Sequence, residues 1–339
     1  MFGDSDRDRE RMIRAILRVL ANEPRPAGST VVARQLRVRG IHMSDRTVRY
    51  HMKLMDERGL TKLVSRGVGR VITATGLEEL GKGPVEYKLG LAISRIALLS
   101  YQTTFDLRTG TGLVPMNITL FPRQLIPHAL EAMAKAFDVG LSVGNMVAVL
   151  APGQRVGDIM VPKDKAGLCT ICSVAFNGCL LKAGIPVESR FGGLLEMRDH
   201  EPDRFVELME YSGTSMNPSE IFIKGRMTSV TSTVLTGNGR ICATFVEVPA
   251  VSRGNVDDLV NVMDRWGINR VLSIGEGEEP VCGVSVGANK VGIALSTGLN
   301  PVAAAVESGR DGSSQAMAGL MEYQSLSPFK DMLKEYRLR

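Results

Sequence analysis

The feature that most constrains this chain is written into it twice. Met116–Gly140, MNITLFPRQLIPHALEAMAKAFDVG, reads as a strand, a proline, an amphipathic helix and a glycine. Cys242–Gly267, CATFVEVPAVSRGNVDDLVNVMDRWG, reads the same way, and both Pro122 to Gly140 and Pro249 to Gly267 span 18 residues. Each glycine is followed by a strand (MVAVL; RVLSI), a turn segment and a further strand. GLCTICSVAFNGCLLKAG then faces GIALSTGLNPVAAAVESG, each with an Asn ahead of a closing glycine, and GLLEM at 193–197 faces GLMEY at 319–323. The offset stays between 123 and 127 residues, which is the signature of a duplication. Half-repeats of about 112–197 and 239–323 are therefore expected to form one domain, 84–330, around an internal pseudo-twofold axis. Strands joined by short turns beside helical crossovers predict an α+β fold. Pockets form where such halves meet, which puts CTICSVAFNG, LSTGLNPVAA and ESRFGG among the lining segments.

The first 83 residues are different in kind. They hold 17 Lys/Arg against 10 Asp/Glu, whereas residues 84–339 hold 24 against 26, so the formal net charge of +5 belongs to one end. Arg7–Asn22 has helical apolar spacing; STVVARQLRVRG follows with Ser29 as expected N-cap; Ser44 then caps DRTVRYHMKLMDERGL. TKLVSRGVGRVIT closes the series as a basic hairpin, and ATGLEELGKG reads as a short helix and hinge. Three helices and a hairpin in this order predict a winged helix-turn-helix, whose rigid helix reads the major groove while the wing neutralises phosphate. Arg46, Thr47, Arg49 and Tyr50 are the candidates on the reading helix, and Lys53, Arg66 and Arg70 the candidate phosphate contacts. Double-stranded DNA is the implied partner. One short half-site gives little specificity, so a homodimer on a roughly palindromic operator is expected.

Several classes are disfavoured. No apolar run is long enough for a membrane span, and the charged MFGDSDRDRERM has no apolar stretch of a signal peptide, so a cytoplasmic protein is expected. Five scattered cysteines make no disulfide framework. Zinc needs four ligands and only one C-x-x-C exists, with no histidine pair beside it, so neither metal nor cofactor is expected. With no nucleophile–base pair, P-loop or metal quartet, the chain does not read as an enzyme.

The Cys169–Gly184 stretch, read as a helix over 169–183, offers a polar N-terminus to a small anion. Thr170, Cys172, Ser173 and Asn177 lie on it, Arg190 supplies a fork for a carboxylate, and Thr297 and Asn300 come from the partner segment. The apolar neighbours make the cysteines packing residues, although a thiol-based redox regulator and a sensor of another small anion stay open on these residues.

The winged module together with CTICSVAFNGCLLKAGIPVESRFGGLLEM and VGIALSTGLNPVAAAVESG resembles the NrpR family of nitrogen-regulatory transcriptional repressors, found chiefly in archaea. The resemblance runs from about residue 8 to 326 and matches the version with a single regulatory domain. It implies a dimeric repressor of nitrogen-assimilation genes on palindromic operators, with dimerisation and effector binding in the second domain. It further implies that 2-oxoglutarate is the effector and lowers operator affinity, and it leaves room for a second, related regulatory chain as partner. The resemblance assigns no residue to the effector; the site list above is read from the residues alone.

Overall fold

The structure is a computed structural model and describes residues 4–23, 25–38, 40–65, 67–81, 90–268 and 270–338. The chain divides into two compact units, 1–88 and 89–339. The ATGLEELGKG hinge is helical as far as Gly81, and its continuation lies outside the described residues.

The first unit is built from α1 (Asp4–Asn22), α2 (Ser29–Val38), α3 (Asp45–Glu57), the antiparallel pair β1 (Thr61–Ser65) and β2 (Gly69–Ile72), and α4 (Ala74–Gly81). The helices close on Ile13, Ile16, Leu17, Leu36, Val48, Met52 and Met55, all of which are buried. Ser44 caps α3 by accepting a hydrogen bond from the Thr47 amide at 3.1 Å, as its position before the apolar stripe predicts. Ser29, by contrast, is already helical, so it is not the residue outside the helix. Ala27 exchanges backbone hydrogen bonds with Arg70, adding a third short segment to the wing.

The second unit opens with α5 (Leu91–Gln102). The first copy then runs β3 (Leu113–Pro122), α6 (Ile126–Asp138), β4 (Met146–Leu150), the small hairpin β5 (Arg155–Val156) and β6 (Ile159–Met160), β7 (Lys165–Ile171), α7 (Val174–Lys182) and β8 (Glu188–Arg198). After β9 (Glu201–Glu210), α8 (Pro218–Lys224) and α9 (Val230–Thr236), the second copy follows. It runs β10 (Gly239–Pro249), α10 (Arg253–Trp266), β11 (Val271–Ile274), β12 (Lys290–Ser296), α11 (Asn300–Glu307) and β13 (Ser313–Glu322). β14 (Ser327–Pro328) and α12 (Phe329–Leu338) end the described chain.

Two five-stranded sheets result, in the orders β13-β3-β7-β4-β14 and β11-β12-β10-β8-β9, with antiparallel pairing throughout. Their first four members correspond, and the correspondence exposes an exchange. β13, the last strand of the second copy, pairs with β3 of the first, while β8, the last strand of the first, pairs with β10 of the second. Neither copy completes its own sheet. Pro122 and Pro249 each end a strand and lead into a 3₁₀ turn before the helix, because proline's fixed φ suits that corner and its missing N–H is not needed there.

Two expectations are corrected. Residues 165–171 form strand β7 and helix α7 starts only at Val174, so no helix spans 169–183. Period-two burial settles it: Leu168 joins a core with Phe121, Leu130 and Val306, whereas Cys169 and Ile171 join another with Met116, Ile118 and Ile293. The paired registers also make Ile171 equivalent to Ser296 and Gly184 to Gly309, an offset of 125. Asn177 and Asn300, 123 apart, are therefore not counterparts.

Candidate functional site

Where the two copies meet, equivalent residues face one small cavity. Asn117 of β3 and Thr244 of β10 are equivalent, as are Cys172–Ser173 and Thr297–Gly298, the strand-to-helix turns before α7 and α11. Asn217, Ser219 and Ala316 complete the wall with Leu299. The cavity has a volume of about 10 Å³, room for about one water.

Its polar groups are nearly all engaged. Asn117 donates from Nδ2 to Thr170 Oγ1 and to the Ile171 carbonyl, each at 3.3 Å, and its Oδ1 accepts from the Met317 amide at 3.2 Å. Thr244 Oγ1 lies 3.4 Å from Ser173 Oγ and 3.3 Å from the buried Tyr211 hydroxyl. Asn217 accepts from the Ser219 amide at 2.9 Å. Thr297 is the exception: it is only 5% exposed and its hydroxyl has no partner among the described residues. A buried hydroxyl without a hydrogen bond is costly and calls for an explanation. The N-termini of α7 and α11 begin within two residues of this wall, adding their positive dipole ends. Among the described residues no cationic side chain lines the cavity. Gly298 is required for the close approach of the copies, since a Cβ there would sit 1.9 Å from the Ile171 carbonyl oxygen.

Of the residues expected to hold an anion, Cys172, Ser173 and Thr297 are brought together here, and four are not. Thr170 is buried in β7 under Asn117. Asn177 donates to Ser189 Oγ at 2.8 Å inside α7's own packing. Asn300 is a structural clamp: its Oδ1 accepts from the Cys242 amide, and its Nδ2 donates to the Leu141 and Cys242 carbonyls and to Ser296 Oγ. Arg190 is not in the cavity wall; its Nη1 donates at 2.6 Å to Glu247, a fully buried carboxylate that also accepts from Gly287 N and Lys290 Nζ. Asn117, Asn217, Ser219 and Thr244 were missed. For Asn117 and Thr244 the signal lay in the duplication, which places both at one strand register; nothing local marked the other two.

The cysteines form no clasp. Cys169 belongs to one core and Cys172 to the other, and burial pushes their thiols up to about 12 and about 11. Cys179 and Cys242 are likewise pushed up to about 12, and all five cysteines are free. Thiols held this way are protonated and inert at neutral pH. Among the described residues no cluster of three potential metal ligands occurs, and no helix is long and apolar enough to cross a membrane.

On the first unit, α3 turns Val48, Met52 and Met55 inward and leaves Arg46, Thr47, Arg49, Tyr50 and Lys53 exposed. Thr47 Oγ1 is 2.7 Å from Ser44 Oγ, so its hydroxyl serves the helix cap. Arg66 lies outside the described residues. Arg70 is not a free phosphate contact: it pairs with Asp56 at 2.7 Å and is half-buried, while Thr61 Oγ1 donates to the other Asp56 oxygen. Together these bonds fasten the wing to α3. The exposed wing cation that the expectation passed over is Lys62.

The family described as NrpR regulatory domains NRD1 and 2 matches residues 89–328, and the Ribonuclease R winged-helix domain matches 14–80. Global nitrogen regulator NrpRI of Methanosarcina mazei is 31% identical over 317 residues, 94% of this chain and 97% of that protein. Global nitrogen regulator NrpR of Methanococcus maripaludis is 29% identical over 92% of this chain, and that of Methanocaldococcus jannaschii 30% over 95%. The chain spans about half of these two relatives, 54% and 56%. A solved nitrogen repressor-like protein from Methanococcus jannaschii superposes with a TM-score of 0.60 at 21% identity, over 71% of this chain and 98% of that one, which shows the shared fold.

Proposed function

This chain belongs to the NrpR family, and from that premise we propose that it is a DNA-binding repressor of nitrogen-assimilation genes whose operator affinity falls when 2-oxoglutarate enters the cavity between the two copies. The relatives' names carry the nitrogen-regulatory part, and the exposed basic face of α3 supports the DNA-binding part. A homodimer presenting two such faces to a palindromic operator completes the reading.

The observation that carries the effector site is Thr297. An unpartnered buried hydroxyl beside two helix N-termini is a hydrogen-bond donor held ready for an anion. Asn117, Ser173, Thr244 and Asn217 surround it with amides and hydroxyls that can exchange partners. A keto-dicarboxylate needs such donors and needs no arginine when N–H groups and dipoles serve. It is far larger than one water, so entry requires the two copies to part. The effector therefore acts as a wedge, binding only an opened arrangement and shifting the population toward it. Because each copy lends a strand to the other's sheet, parting the copies moves the whole regulatory unit rather than one loop.

Calorimetry against 2-oxoglutarate, glutamate and glutamine tests the site. Heat with 2-oxoglutarate that is lost in Thr244→Val is expected. Equal response to all three, or an unchanged isotherm in the variant, contradicts the assignment.

A further inference from the structure

Both copies have an irregular strand pair beside the cavity, but only one of them is irregular opposite a cavity residue. On β10 the pairing with β8 runs regularly through Thr244, opposite Gly192. On β3 the pairing with β13 jumps from Gln315–Ile118 to Gly319–Met116, so Ala316, Met317 and Ala318 bulge opposite Asn117. Met317 is held at φ +52, a left-handed conformation uncommon for such a residue, and one that persists only where neighbours over-determine it.

The neighbours are identifiable. Asn117 accepts from the Met317 amide on the cavity side, and Glu220 of α8 accepts from the Ala316 amide at 2.8 Å. From the opposite direction Arg95 donates Nε to the Met317 carbonyl at 3.0 Å and Nη2 to the Ala318 carbonyl at 2.9 Å. Arg95 sits on α5, which precedes the first strand of the first copy. In chain order α5 is also the first described element after the winged module.

We infer that Arg95 is a coupling residue: it ties α5 to the strained cavity wall, so that a change at the wall is passed to the element joined covalently to the DNA-binding unit. The inference rests on the cavity being the effector site. An entering ligand that takes the Asn117 amide or displaces Ala316 alters the bulge, and the bulge carbonyls carry Arg95 with them. The planar guanidinium suits this role because it holds two carbonyls in one fixed geometry, which a lysine cannot do.

The test is made on the full-length chain, as wild type, Arg95→Gln and Arg95→Lys. 2-Oxoglutarate binding is read by calorimetry, exchange of the Leu91–Gln102 amides with and without it, and affinity for a duplex the protein has itself selected from a random pool. In wild type, 2-oxoglutarate is expected to change α5 exchange several-fold and to lower duplex affinity by about 5–150-fold, the usual range of allosteric coupling. In both variants binding heat is retained while α5 exchange and duplex affinity cease to respond. Variants that bind and still respond overturn the role of Arg95, as does loss of binding in the variants, which would make Arg95 part of the cavity itself. Recovery of the full response in Arg95→Lys overturns the two-carbonyl mechanism. A wild type that gives no heat overturns the effector site and this coupling together, and is told apart by that silence.

Discussion

At position 297 a valine would fill nearly the same space as the threonine that is there and would bury no hydroxyl. The Thr297 hydroxyl is buried and unpaired, a condition that typically costs about 1–3 kcal/mol. Thr297→Val is therefore expected to leave thermal stability unchanged or to raise it, while weakening 2-oxoglutarate binding in calorimetry. A variant that is destabilised and binds normally would make the hydroxyl structural. The cysteines make the opposite case, for they are spent on packing. Their folded-state values of about 11 to 12 lie above the 9.0 of a free thiol, so the folded chain retains protons that the unfolded one releases. Their stabilising contribution is intact below pH 9 and is lost as pH rises through 11 to 12. Denaturant titrations across that range should show the decline. A thiol reagent at neutral pH should label Cys282, the one cysteine that is not fully buried, well ahead of the other four. Rapid labelling of Cys169 or Cys172 would reopen a redox role.

At the scale of elements, local grammar was easier to read than partnership. The strand–proline–helix–glycine motif is legible because its spacing is local, and the Ser44 cap because its acceptor and donor are three residues apart. β7 was misread because a short apolar run has no period to separate strand from helix. Arg190 and Arg70 looked like free cations because Glu247 is 57 residues away from one and Asp56 14 from the other, separations that no sequence pattern reports. Ser173 and Thr297 are legible as polar residues of the two repeated segments; their arrangement around the cavity is not. Lys53 and Arg70, both candidate phosphate contacts in the sequence, predict different outcomes. Lys53→Ala should weaken duplex binding across sequences and reduce the salt slope by about 1. Arg70→Ala should instead destabilise the winged unit, by about 1.5–3 kcal/mol for a charge-assisted bond, seen as earlier melting.

At the scale of the whole molecule the exchange of β8 and β13 is what turns a duplication into a device. Two independent copies could each bind a ligand with no consequence for the other. Copies that complete each other's sheets share both cores and a cavity at their junction, and a ligand there must move both. The exchange pairs Gln315 with Ile118 and Gly239 with Met197, partners that no sequence pattern reports, although the duplication itself is plain. The central claim is that occupancy of this junction is read out on DNA. It is tested most directly by titrating the full-length protein onto a duplex it has selected, followed by fluorescence anisotropy, with and without saturating 2-oxoglutarate. The account predicts a dissociation constant raised by about 5–150-fold in its presence. A constant that does not change would contradict it.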